Sequence, residues 1–102
     1  MKLSLLYVAL LAAMLTLVGQ SMAANGKAVY DSTCWACHAT GAAGSPKFGD
    51  KVAWEPRIHS GMQALYTSAL KGKNLMPARG GNSSLTDADV IAAVDYMVSQ
   101  IK

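Results

Sequence analysis

Residues 34–38 read Cys-Trp-Ala-Cys-His and hold both cysteines of a 102-residue chain. Two thiols this close admit four uses. In an exported protein, two cysteines are first read as a disulfide. A thioredoxin-like pair would open a helix within a βαβ pattern, and no strand pattern surrounds these residues. A structural zinc site needs four ligands, and the sequence offers no second Cys-x-x-Cys or histidine pair. The fourth use takes in the next residue. Cys-x-x-Cys-His is the spacing at which haem is attached. Cysteines at i and i+3 on a helical turn point the same way, so each sulfur can add to one vinyl group. The adjacent histidine then lies under the iron and offers an imidazole nitrogen. The reading is one covalent haem c on Cys34 and Cys37, with the iron bound by His38.

Upstream of this motif the chain begins with Lys2 and an apolar run from Leu3 to Val18, broken only by Ser4 and Thr16. Ser21 and Ala23 are small residues at the spacing a signal peptidase reads, so residues 1–23 are expected to be a cleaved signal peptide and 24–102 the working domain. The other reading is an uncleaved membrane anchor, for which the run is shorter than the roughly 20 apolar residues a span needs. The leader inflates the 52% hydrophobic content. The formal charge is +3 for the whole chain, with no basic run, which argues against nucleic acid as a partner. A domain the size of residues 24–102 has a marginal core. A haem would supply the apolar partner it lacks.

Within that domain nothing reads as a strand. Asn25 can cap a short helix from about Gly26 to Ser32. Residues 39–50 (ATGAAGSPKFGD) read as a loop. Asp50 can cap a brief helix carrying Val52, Ala53 and Trp54, ending before Pro56. Met62, Leu65, Tyr66, Ala69 and Leu70 form an apolar helical stripe that stops near Gly72. Residues 72–84 are again loop. Thr86 with Asp89 makes a capping box for a last helix whose buried face is Val90, Val94, Met97, Val98 and Ile101. The fold class is therefore all-α: one small domain of about four helices and two long loops.

A sixth iron ligand has four candidates. Met62 and Met97 lie on apolar helix faces, where core packing is their ordinary use. His59 sits near a helix end, where a surface histidine is expected. Met76 belongs to no periodic face and precedes Pro77, which drives it toward extended backbone. The thioether of Met76 is the preferred ligand, and such ligation raises the potential.

The segments GxxxY before the motif (Gly26, Tyr30), GSPKFGD, AWEPR, MPARGG and DADVIAAVDYM together resemble class I cytochrome c, and within it the bacterial cytochrome c5 branch. The resemblance spans nearly all of residues 24–102. It implies a cytochrome c fold wrapped around the haem. Gly26 and Tyr30 would pack the first helix on the last, near Tyr96. The Pro46 carbonyl would orient His38, Met76 would be the sixth ligand, and Trp54 and Arg57 would meet the haem propionates. Many members of the branch carry a disulfide just after the Gly-Gly. Here that stretch is Asn82-Ser83-Ser84-Leu85, so the loop bearing Met76 is expected to be the first element to open.

The function expected is that of a monomeric, periplasmic one-electron carrier. Its donor would be a quinol-oxidising complex and its acceptor a terminal oxidase or reductase. A six-coordinate iron has no open position for substrate, so no enzymatic activity is expected. Lys47, Lys71, Lys73 and Arg79 could ring the haem edge and steer toward acidic partners. The competing functions are a five-coordinate haem sensor or catalytic haem subunit, and a haem-free thiol–disulfide module.

Overall fold

In the computed structural model, which describes residues 24–102, the chain becomes helical directly after Asn25, whose side chain accepts from the Ala28 N–H at 3.1 Å. The reading of residues 1–23 as a leader lies outside the described residues. Helix α1 (Gly26–Val29) passes into a π-helical segment (Tyr30–Cys34) and then into α2 (Trp35–His38) with no loop between them. The expected stop near Ser32 is therefore corrected: the helical run continues through the haem motif. Its register explains the π-segment. Gly26, Tyr30, Cys34 and His38 recur every four residues, and in a straight α-helix each such step overshoots by about 40°. The wider turn, closed by the Trp35 N–H on the Tyr30 carbonyl, takes up part of that drift. Tyr30 and His38 are both buried as a result.

Helix α3 (Lys51–His59) is capped by Asp50, which accepts from Ala53 N–H at 3.3 Å. The expected end before Pro56 is also corrected, since the helix runs three residues beyond it. The proline forfeits only the bond to the Val52 carbonyl, and Val52 is 82% exposed, so water can serve that oxygen. Helix α4 (Met62–Lys71) lies between Gly61 and Gly72, both at positive φ. Helix α5 (Asp87–Ser99) begins with the capping box read from the sequence: Thr86 Oγ1 accepts from Asp89 N–H, and the Asp89 carboxylate accepts from Thr86 N–H. Its buried residues are Val90, Ala93, Val94 and Met97, with Val98 and Ile101 half-buried beside the core.

The chain's two ends close on each other where α1 crosses α5. A Cβ on Gly26 would lie 2.1 Å from the Ala92 carbonyl oxygen and 3.0 Å from Tyr96 Cβ. Only glycine permits that approach. Beside the crossing, the rings of Tyr30, Phe48 and Tyr96 pack with centroids 4.7–5.8 Å apart. Tyr30, Trp54 and Met97 form the buried cluster behind them. Tyr66 donates from its hydroxyl to Asp95, tying α4 to α5. Among the described residues there is no strand, only an isolated bridge between Lys73 and Met76. The architecture is all-α, with the four helical units enclosing one cavity.

Candidate haem site

The cavity measures about 410 Å³, within the usual range for small-molecule and cofactor sites. One wall is the haem motif itself, where Cys34, Cys37 and His38 all line the space. His38 is 7% exposed and is held by three consecutive loop residues and one ring. Its Nδ1 lies 2.9 Å from the Pro46 carbonyl. Phe48 N–H donates to the His38 carbonyl at 2.6 Å. Trp54 stacks on the imidazole, with centroids 5.8 Å apart and planes 28° apart, and donates its Nε1–H to the Lys47 carbonyl at 2.9 Å. A carbonyl can only accept, so Nδ1 carries a proton, which leaves Nε2 as the nitrogen available to a metal. Nε2 makes no hydrogen bond among the described residues. That is the tautomer a metal-binding imidazole needs, with its ring fixed and its basicity raised.

The two cysteine sulfurs are not joined. Cys34 is half-buried, and burial pushes its thiol pKa up. A reactive thiol–disulfide pair needs the opposite shift. An uncharged thioether suits a half-buried position. The remaining walls are largely apolar, with Leu65 and Ala69 from α4 and Val90 and Val94 from α5. The mouth is edged by exposed small residues and by Leu75, which is 76% exposed. Paired thiols, a neutral imidazole lone pair and apolar walls fit a haem.

The four candidate sixth ligands separate by position. Met76 and Met97 line the cavity, whereas Met62 and His59 do not. Met97 is buried against Tyr30 and Trp54 in the core. Met76 sits at the end of a tight turn. Lys73 and Met76 exchange two backbone hydrogen bonds of 2.9 Å, with Asn74 at φ 53° between them. A 3₁₀ turn (Ala78–Gly81) follows Pro77. Gly80, at φ 62°, presses on the residue before Cys34, where a Cβ would meet Thr33 Cγ2 at 2.6 Å.

Trp54 and Arg57 both reach the cavity wall, but differently. The only side-chain donor of Trp54 is engaged by Lys47, so the indole orients His38 and has no N–H to spare for a propionate. Arg57 is exposed and gives one N–H group to the Ala53 carbonyl at 2.7 Å. Its other N–H groups have no partner among the described residues. Arg79 is not the free cation of the expected rim, because its guanidinium is paired with Asp87. Neither that pairing nor the contact of Gly80 with Thr33 has a local signal in the sequence.

A family model described as cytochrome c oxidase, cbb3-type, subunit III, matches residues 21–97. Cytochrome c-555 of Chlorobaculum tepidum is 56% identical over 84 residues, covering 78% of this chain and 78% of that protein. The chain belongs to the class I cytochromes c. Cytochrome c5 of Azotobacter vinelandii is 36% identical over 77 residues, covering 74% of this chain and 93% of its own length. The fold is shared with a chain in the crystal structure of an electron transfer complex of nitrite reductase with cytochrome c. That chain has a TM-score of 0.72 and 45% identity, over 76% of this chain and 94% of its own. Like its relatives, this cytochrome carries one covalent haem c, and its two cysteines are the only thiols it has for the attachment. It is an electron carrier and not an enzyme. No helix among the described residues is long and apolar enough to cross a membrane.

Proposed function

We propose that His38 and Met76 bind the iron from opposite faces, so that the protein is a six-coordinate His/Met carrier. The observation that carries this reading is the sorting of ligands. Of the four candidates, only Met76 lies on the cavity without a place in the core. Bound haem supplies the Fe(III)/Fe(II) couple, and the chain's residues set its conditions. Pro46 holds the Nδ1 proton of His38, and Trp54 fixes the ring plane. Leu65, Val90 and Val94 keep water from the buried side. Arg57 offers its free N–H groups to a propionate. With ligands held on both faces, little reorganises when the iron changes charge, and exchange with a partner can be brief.

The exposed thiol position Cys37 and the apolar rim at Leu75 mark the edge where electrons leave. Lys47, Lys71 and Lys73 are exposed, Lys73 on the cavity wall itself, and suit a partner with an acidic surface. Residues 1–23 act as a cleaved leader, and the mature protein works in the periplasm. Its donor is a quinol-oxidising complex. Its acceptor is a terminal oxidase or reductase, a class supported by the solved complex of a related cytochrome c with nitrite reductase.

Carbon monoxide decides the coordination. At neutral pH the reduced protein should bind it slowly and incompletely. Rapid, complete binding would mean a five-coordinate iron and a sensor or catalytic haem instead.

A further inference from the structure

The turn after Met76 holds three consecutive residues at positive φ, Arg79 at 56°, Gly80 at 62° and Gly81 at 83°. Glycine adopts this freely, but arginine does so only at a cost. The surroundings must hold Arg79 there. Its Nη1 donates to the Leu85 carbonyl at 3.0 Å, and its Nη2 pairs with the Asp87 carboxylate. Those two acceptors flank Thr86, the N-cap of α5. The planar fork of the guanidinium serves them from two separate nitrogens in a fixed geometry, whereas an ammonium would have to bring one nitrogen within reach of both. Between Arg79 and Met76 lie only Pro77, whose φ is fixed, and Ala78. The turn is closed again by Gly80 N–H on the Pro77 carbonyl at 3.2 Å.

We propose that Arg79 is the positioning residue for Met76: by dividing its guanidinium between the Leu85 carbonyl and Asp87, it fastens the Met76 turn to the start of α5 and keeps the thioether on the cavity. This inference rests on Met76 being the sixth ligand. The site of its effect follows from burial. The Asp87 side chain is 69% exposed, and exposed ion pairs add little to global stability. Local opening of a loop has a much smaller free energy than global unfolding. A charge-assisted fork therefore changes the frequency of local opening far more than it changes the melting temperature.

The test uses ferric holoprotein, added imidazole, and the thioether–Fe(III) charge-transfer absorption as the readout. Arg79→Gln should lose Met76 to imidazole about tenfold faster than wild type. Arg79→Lys should fall between the two, because it keeps the charge but loses the fixed two-nitrogen fork. Asp87→Asn, on an exposed first turn of α5, should exchange about threefold faster. In all three variants the thermal midpoint should move only slightly. Exchange at the wild-type rate in Arg79→Gln, with the midpoint lowered, would make Arg79 merely structural and overturn the inference. If Arg79→Gln does not fold, a wild-type rate in Asp87→Asn overturns it equally. A wild type that lacks the charge-transfer band would instead refute Met76 ligation.

Discussion

The two faces of the haem cavity are built in different ways. On the His38 face the proposed ligand belongs to a helical run, and residues 46–48 with Trp54 fix it by three hydrogen bonds and a ring stack. On the Met76 face the proposed ligand sits in a loop held by turn hydrogen bonds, four residues at positive φ (Asn74, Arg79, Gly80 and Gly81) and one partly exposed ion pair. The first face is tied to the core through Trp54, whereas the second meets Thr33, a residue outside that core, at Gly80. Both loops hold non-glycine residues in the left-handed region, Ala43 on the His38 side and Asn74 and Arg79 on the Met76 side, so it is the sparser fastening of the Met76 loop that marks the less stable part of the domain. On the proposed ligation, His38 is fixed by its surroundings and Met76 is held only as firmly as its loop.

The largest effect should come from the His38 face. His38→Ala should prevent assembly of a stable holoprotein, read as loss of the haem c spectrum in alkaline pyridine. Retention of a full complement of haem would break the contrast. Met76→Ala should keep the haem but leave the iron open. Carbon monoxide should then bind rapidly, and the potential should fall by on the order of 0.1 V. An unchanged voltammogram would show that another residue closes that face.

Gly26→Ala should weaken both faces together. The added Cβ collides with backbone at Ala92, and such overpacking should cost about 3 kcal/mol in thermal or denaturant unfolding. A melting temperature within a degree of wild type would mean that α1 and α5 do not cross as described. Gly80→Ala should act on the Met76 face alone. Its positive φ and the Thr33 contact should cost about 1–2 kcal/mol, seen as faster imidazole exchange with little change in melting. Adding Thr33→Ser removes the colliding methyl group. The double variant should recover part of that loss, and no recovery would argue against the contact.

The two faces also differed in how far they could be read from sequence. Cys34, Cys37 and His38 are legible because their chemistry demands fixed spacing within five residues. The caps at Asn25, Asp50 and Thr86 are equally local. The π-segment was not legible, because it answers to the packing of Tyr30 and His38 on other elements. The helix through Pro56 was not, because tolerance there depends on the exposure of Val52. Spacing singled out Met76 only by its failure to join a periodic face. The engagement of Trp54 by Lys47 and of Arg79 by Asp87 depends on where the loops meet the helices, which no short window of sequence contains.

The central claim is that iron in this cytochrome takes one thioether from Met76. Iron K-edge X-ray absorption on the ferric protein measures it directly, since sulfur and nitrogen scatter at different distances. We expect a single sulfur beside the nitrogens in wild type and its disappearance in Met76→Ala. A wild-type spectrum with nitrogen ligands only, or a sulfur that persists in the variant, would contradict it.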